Sequence, residues 1–290
     1  MRSYRFSANT DAFMSYKPSS FIISYKKVDF SQVGTFDLVT KKELIGYFHE
    51  YIHFMQDISS FTGLLTFLSR LNNSVTLTEI TCKTSGIINF PISPNLLKGI
   101  DIYENLLAKI EGNYQEYNSP LIPVGFPTIL HDEILGNHTY ELLWQTTAGT
   151  IKIGIHALQE AQAYYAQKAL ETKMQTEVWK DLPVFPYKWL DALLEQYEIT
   201  ASPVELFLFI DLVLDTLYPQ LILKKALEDL RGKNLITMCI SSLIKSVYTA
   251  RDQEYNHKYA YNWQIKEAAK ISETIKDREG MTNALEMSRF

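Results

Sequence analysis

The chain has 290 residues, of which 46% are hydrophobic and 21% charged, and it carries a formal net charge of -5 with an isoelectric point near 5.7. This composition is typical of an ordered globular protein, either one large domain or two fused lobes. The lack of a long basic run argues against nucleic acid as the main ligand. The only cysteines, Cys82 and Cys239, are too few for a disulfide framework or a four-sulfur zinc site, and we expect both to be reduced.

The sequence favours a protein without a signal peptide or a membrane span. Charged and polar side chains interrupt the N-terminal residues, so the apolar centre of a secretory signal is missing. The most apolar segment, residues 206–223, contains Asp211, Asp215 and Pro219, which predicts a core helix with the two carboxylates on its solvent-facing side. We therefore expect a cytoplasmic location.

The N-terminal region is expected to form a small β-sheet followed by a helix. Residues 21–28 are rich in Ile, Tyr and Phe, and residues 35–39 form another short run typical of a strand. Thr40 and Glu43 match a capping box, in which each side chain accepts a hydrogen bond from a free backbone N–H of the other residue. The helix is expected to run from Thr40 to about Asp57.

Two strands and a second helix are expected in the middle of the chain. Residues 140–146 and 150–153 have strand-type patterns on either side of a turn at Ala148 and Gly149. Gly154 then allows the chain to enter a helix that covers about residues 155–173.

The pattern after residue 186 is helical. Ser202, Pro203 and Glu205 provide an N-cap, a proline in the first helical position and a capping carboxylate. Further helices are expected at about residues 220–249 and 261–287.

The residues HEYIH at positions 49–53 match the pattern H-E-x-x-H and lie inside the helix predicted from Thr40. Residues four apart share one face of a helix, so both imidazoles can bind one zinc ion while Glu50 lies beside the open coordination position. The metal lowers the pKa of its bound water, and Glu50 can accept the proton and later pass it to a leaving amine. The pattern predicts His49 and His53 as metal ligands and Glu50 as the general base.

The environment of the motif supports this interpretation. After the first turn, the helix carries polar side chains on a single stripe, which the motif forms together with Gln56 and Asp57. Polar groups in such a largely apolar surrounding need partners, and a bound metal ion provides one.

A catalytic zinc site normally has three protein ligands and one open position. No further His follows closely after His53, so the arrangement with a third His in H-x-x-G-x-x-H is excluded. The other common choice is a Glu on a later helix, and Glu160 is the best candidate because Ala161 and Ala163 allow another backbone to approach closely. His156, His131 and His138 are the next candidates.

The chain resembles the gluzincins, which are zincin metallopeptidases whose H-E-x-x-H helix is completed by a Glu on a later helix. The resemblance rests on His49, Glu50 and His53, followed by Glu160 with Ala163. The resemblance implies that His49, His53 and Glu160 are zinc ligands and that Glu50 is the general base. It also implies a peptide or protein substrate.

The chain departs from the gluzincin pattern in two respects. The interval of 107 positions between His53 and Glu160 (160 minus 53) is longer than in compact members, and Tyr164 stands where several members have an Asp. The carboxylate that orients a His ligand must then come from elsewhere, and Asp57 is our candidate.

His156 and Tyr164 lie one turn before and one turn after Glu160, so either side chain could donate a hydrogen bond to a developing oxyanion. A packed or solvated His156 and a packing role for Tyr164 are the alternatives, and Tyr165 could replace Tyr164. A further group, residues 131–133 with His138, could form a second metal cluster, but its composition favours a polar loop.

The predicted fold is α+β and predominantly helical, with a zincin-like core in residues 1–175, a small N-terminal β-sheet, and a helical lobe in residues 176–290. The leading hypothesis is a zinc metallopeptidase whose helical lobe forms part of the substrate cleft or binds a partner protein. Two alternatives are a zinc hydrolase of a non-peptide amide or ester and an inactive zincin-like interaction module. Retention of Glu50 argues against the last, because a purely structural zinc site needs no general base.

Overall fold

The structure is a computed structural model, which describes residues 14–17, 22–25, 41–60, 62–63, 66, 78, 109–112, 115–134, 137–176, 182–238 and 240–255. Contacts divide the chain into two compact units, Met1–Val247 and Tyr248–Phe290. All elements below belong to the first unit, except that the last helix continues into the second. Both cysteines lie outside the described residues.

The N-terminal strands β1 (Met14–Lys17) and β2 (Ile22–Tyr25) pair in antiparallel fashion, and both contact helix α1 (Lys41–Ser59). The strand predicted within residues 21–28 and the helix predicted from Thr40 are thereby confirmed. Thr40 itself and residues 35–39 lie outside the described part of the chain.

The main sheet has three antiparallel strands in the order β3 (Thr128–Ile134), β4 (Asn137–Thr146) and β5 (Gly149–Ile153). Its buried face follows the two-residue period of a strand, because side chains at alternate positions point the same way. Leu142 pairs with Ile153 and Trp144 with Ile151, and all four side chains are fully buried. Both predicted middle strands are therefore confirmed.

The junction between β5 and helix α2 (Ile155–Met174) contains Gly154. A Cβ atom at this position would overlap the backbone of Glu111 and Gly112, so only glycine lets the two segments approach so closely. Most of α2 is buried around its circumference, and it contacts α1, β5 and helix α4 described below. It is the central helix of the unit, and its limits agree with the predicted 155–173.

The C-terminal part of the unit is helical, as expected. A wide turn (Val184–Lys188), which includes a cis peptide bond between Phe185 and Pro186, leads into α3. The helices that follow are α3 (Trp189–Gln196), α4 (Pro203–Leu214), α5 (Pro219–Asp229) and α6 (Ile240–Tyr255).

The start of α4 has the predicted cap. Pro203 occupies the first turn, and the Glu205 carboxylate accepts a hydrogen bond of 2.9 Å from the Ser202 backbone N–H. Helix α4 contacts both α2 and α5.

Three expectations about the elements were wrong. The core helix expected at residues 206–223 is divided, because α4 ends at Leu214 and α5 begins at Pro219. The predicted helix at residues 220–249 is divided into α5 and α6, and Gly232 between them has a φ of +70°, which a continuing α-helix does not allow. Residues 131–133 and His138 belong to β3 and β4 instead of a loop. Their side chains are exposed, so backbone pairing holds the strands without the apolar alternation that would reveal them in the sequence. The helix expected at 261–287 lies outside the described residues.

The structure is predominantly helical with a small antiparallel sheet, as the predicted α+β class requires. The finer expectations, a zincin-like core and a boundary after residue 175, stay predictions.

We predict that Gly154→Ala lowers the free energy of unfolding by about 3 kcal/mol, because the methyl group overlaps backbone atoms that cannot move independently. Urea denaturation measures the change. Gly125→Ala is the matched control, because a Cβ at Gly125 meets nothing within 4 Å. Equal stability of both variants would contradict the close approach at Gly154.

Candidate metal centre

Helix α1 brings His49 and His53 together, because one helical turn separates them. Their ring centroids are 4.9 Å apart, and their two Nε2 atoms are 3.3 Å apart. The edge-to-face arrangement turns both Nε2 atoms toward the same point.

Helix α2 supplies the third group of the centre. Glu160 Oε2 lies 3.6 Å from His49 Nε2 and 3.4 Å from His53 Nε2. A small apolar cluster fixes the two helices at this distance, because Ile52 of α1 packs with Ala163 and Ala166 of α2. The predicted role of small side chains on α2 is therefore visible at Ala163, and the three residues predicted as metal ligands lie in one group.

The spacing of the three atoms fits a metal ion. A tetrahedral zinc ion with ligands at about 2.0–2.1 Å holds its ligand atoms about 3.3–3.4 Å apart. The three separations of 3.3, 3.4 and 3.6 Å match these edges closely. Two imidazole nitrogens and one carboxylate oxygen are also a donor set that zinc commonly takes. The side chains of His49, His53 and Glu160 are only 12 to 15% exposed, so they are shielded from most of the solvent.

The electrostatics of the group reflect burial and mutual contact. Burial lowers the pKa of His53, but the charge of Glu160 and a hydrogen bond with it outweigh this effect and raise the pKa to about 9. Burial raises the pKa of Glu160, but the charge of His53 and hydrogen bonds from both imidazoles hold it well below its usual range. Glu160 is therefore a carboxylate, the form that binds a cation.

Glu50 lies beside this group and is fixed from the N-terminal hairpin. The backbone N–H of Tyr16 on β1 donates a 2.7 Å hydrogen bond to Glu50 Oε2. The charge of Glu50 also contributes to the pKa values of His53 and Tyr187, which indicates that its carboxylate is near both. Strand β1 thus orients the residue predicted as the general base.

Asp57 does not orient a His ligand as expected. Its Oδ2 accepts a 2.9 Å hydrogen bond from the Tyr16 hydroxyl, so it anchors the hairpin on α1. The partner of His53 is Gln56, whose Oε1 lies 2.9 Å from His53 Nδ1. Helical spacing does not decide between the two, because the positions three and four after His53 both lie near its ring; the difference is that Asp57 is engaged by the Tyr16 hydroxyl.

The two residues predicted as oxyanion donors differ in their placement. His156 borders the group, with Nδ1 4.0 Å from Glu160 Oε1, and burial lowers its pKa. Tyr164 is buried, and its ring packs edge-on against Tyr165. The hydroxyl of Tyr165 donates a 2.6 Å hydrogen bond to Asp191 Oδ1 and is already used.

Tyr187, which the sequence analysis did not select, lies next to the ligands. Its ring centroid is 6.1 Å from that of His49. The charge of Glu160 is the largest of several causes that raise the pKa of Tyr187 well above its usual value, and a hydrogen bond with Glu160 is another. Its hydroxyl therefore stays protonated and can donate. Sequence contains no signal for it, because it is one of 18 tyrosines and lies on a turn.

The second histidine pair is a different kind of feature. His131 Nε2 and His138 Nδ1 are 2.9 Å apart across β3 and β4, and both side chains are exposed. Among the described residues, the only group of three or more potential ligands within metal-binding distance is His49, His53 and Glu160.

Comparisons of the chain with protein-family models, curated proteins and solved structures give no significant match. In the part of the chain that the structure describes, no helix has both the length and the apolar character needed to cross a membrane.

We predict that the purified protein binds one zinc ion and that His49→Ala or Glu160→Gln weakens this binding by at least about 10²-fold, because each removes one of three ligands. Competition with a chromophoric chelator measures the affinity. His131→Ala, on the exposed strand, is the control and should bind zinc normally. Unchanged affinity in Glu160→Gln would show that the third ligand lies elsewhere.

Proposed function

We propose that this protein is a zinc-dependent hydrolase, and specifically a metallopeptidase of the gluzincin type. The observation that supports the proposal is the triangle of two imidazole nitrogens and one carboxylate oxygen with Glu50 beside it. A zinc site that only stabilised the fold would need no general base beside its ligands.

The reaction we propose is hydrolysis of an amide bond. Zinc bound at this centre supplies Lewis acidity, which lowers the pKa of a bound water molecule towards about 7. Glu50 accepts a proton from the attacking water as the new C–O bond forms, and it then passes that proton to the nitrogen as the C–N bond breaks. The products are a carboxylic acid and an amine, and at neutral pH the remaining proton of the acid passes to the amine or to solvent.

The hydrogen bond from Tyr16 supports this role of Glu50. Because Oε2 accepts from the Tyr16 N–H, the orientation of the carboxylate is fixed and Oε1 remains for the proton transfer. A fixed base reaches the water without first losing rotational freedom, which contributes to catalysis through positioning.

Tyr187 is the best candidate to stabilise the oxyanion. Its ring is near His49 and its raised pKa keeps the proton that must be donated; its hydroxyl now hydrogen-bonds with Glu160 and would turn to the oxyanion when Glu160 binds the metal ion. His156 lies on the other side of Glu160, with its Nδ1 4.0 Å from Glu160 Oε1, and it is the second candidate for the oxyanion donor.

We expect Glu50→Gln to retain zinc affinity within about 2-fold and to lose at least about 10²-fold in turnover, because the amide cannot accept the proton. A peptide library cleaved by the zinc-loaded protein, followed by mass spectrometry, provides the assay, with ester and non-peptide amide substrates alongside. Full activity of Glu50→Gln would refute the mechanism. Cleavage of esters or non-peptide amides alone would support the alternative hydrolase.

Tyr187→Phe should lower kcat by about 10²-fold while KM and zinc affinity change little, because the hydroxyl acts on charge that develops in the transition state. Tyr165→Phe is the matched control, since its hydroxyl is bonded to Asp191. If Tyr165→Phe lowers kcat and Tyr187→Phe does not, the oxyanion donor has been assigned to the wrong tyrosine.

A further inference from the structure

We propose that Gln56 and Gln162 are positioning residues that hold the ring of His53 in the form with the proton on Nδ1, so that Nε2 binds the metal. The proposal rests on the metal centre of the proposed function. It concerns residues behind the ligands, which neither the motif nor the gluzincin resemblance identifies.

A continuous series of hydrogen bonds connects His53 to helix α4. His53 Nδ1 is 2.9 Å from Gln56 Oε1, and Gln56 Nε2 donates to Gln162 Oε1 at 2.8 Å. Gln162 Nε2 then donates to Asp211 Oδ1 at 2.8 Å. Both glutamine side chains are almost completely buried, and Asp211 is exposed. The series therefore runs from the metal centre through the interior to the surface.

Two groups that can only accept determine the direction of every hydrogen bond in this series. Gln56 Nε2 also donates to the backbone carbonyl of Gln159 at 2.9 Å, and Gln162 Nε2 donates to the carboxylate of Asp211. A carbonyl and an ionised carboxylate accept and never donate, so the NH₂ group of each glutamine must face its acceptor. Rotating either amide by half a turn would place oxygen against oxygen in a buried region, which is costly.

The tautomer of His53 follows from these two orientations. Both N–H bonds of Gln56 are used, and its Oε1 faces His53 Nδ1. Because Oε1 only accepts, Nδ1 must carry a proton. When Nε2 gives up its proton to bind a metal ion, the remaining proton is on Nδ1 and the lone pair is on Nε2, which lies 3.3 Å from His49 Nε2 and 3.4 Å from Glu160 Oε2. An imidazole fixed by a hydrogen bond on its other nitrogen is a better metal ligand.

The two histidines differ in this respect. In the described part of the chain, the buried Nδ1 of His49 has no hydrogen-bond partner. The ring of His53 is therefore already held in place before a metal ion binds, and substitution of Gln56 or Gln162 should directly reduce the affinity for zinc.

Zinc affinity is measured by chelator competition for the full chain and for Gln56→Leu and Gln162→Leu. Gln167→Leu is the matched control, because Gln167 is an equally buried glutamine of α2 that bonds to Glu171. We expect a loss of about 10- to 100-fold in Gln56→Leu, at least about 3-fold in Gln162→Leu, and less than about 2-fold in the control.

A second measurement reads the tautomer without any substitution in the supporting residues. Long-range ¹⁵N–¹H correlation spectra of the zinc-loaded protein, assigned with His53→Ala, should show His53 with a proton on Nδ1 and zinc on Nε2. If a Leu variant does not fold, these spectra by themselves show which nitrogen of His53 carries the proton and which binds zinc.

Zinc binding through Nδ1 of His53, or affinity within about 2-fold of the unmodified protein in both Leu variants, would overturn the proposal while leaving the metal centre intact. Failure of the unmodified protein to bind zinc would overturn the metal centre and this proposal together.

Discussion

The contact between α1 and α2 is the constraint on which the centre depends. Ile52 packs with Ala163 and Ala166, and the small alanine side chains let the helices approach until Glu160 Oε2 is within 3.6 Å of both imidazoles. A larger side chain at Ala163 would increase that separation, and the three donor atoms would no longer match the edges of one tetrahedron. Packing between apolar residues thus determines the geometry of a polar site.

Glu160 is the electrostatic focus of this arrangement. Its carboxylate interacts with His53, His49, His156 and Tyr187 and influences the pKa of three of them. A buried carboxylate among several donors is stable only when those donors are close and well oriented. The wide turn before α3 provides one of these donors, Tyr187, and helix α4 supports another, His53, through Asp211 and the two buried glutamines.

Local signals explain which features were predictable from the sequence. The cap of α4, the strands around Gly149 and the limits of α1 and α2 depend on neighbouring residues, and all were predicted. The three proposed ligands were also predicted, because helical spacing fixes His49 and His53, and small neighbours favour Glu160.

The remaining features depend on contacts between distant segments. Tyr187 reaches the ligands from a turn, and Gln162 acquires its role only when Gln56 and Asp211 are beside it. The sequence predicts a solvent-facing carboxylate at Asp211, and this side chain is exposed. One of its oxygens also accepts the last hydrogen bond of the series, from Gln162. The strand at His131 was missed because backbone pairing supports an exposed polar segment there.

The length of chain between the two ligand helices has an evolutionary consequence. For a flexible connection, the entropy of bringing its ends together grows with the logarithm of its length, so doubling the length costs only about 0.6 kcal/mol. A single buried methylene contributes about as much. Segments outside the paired strands β3, β4 and β5 can therefore be lengthened or shortened between His53 and Glu160 while the complementary surfaces of α1 and α2 are kept. Proteins that share this centre would be recognised by the paired helix faces, and a fixed spacing of motifs would overlook them.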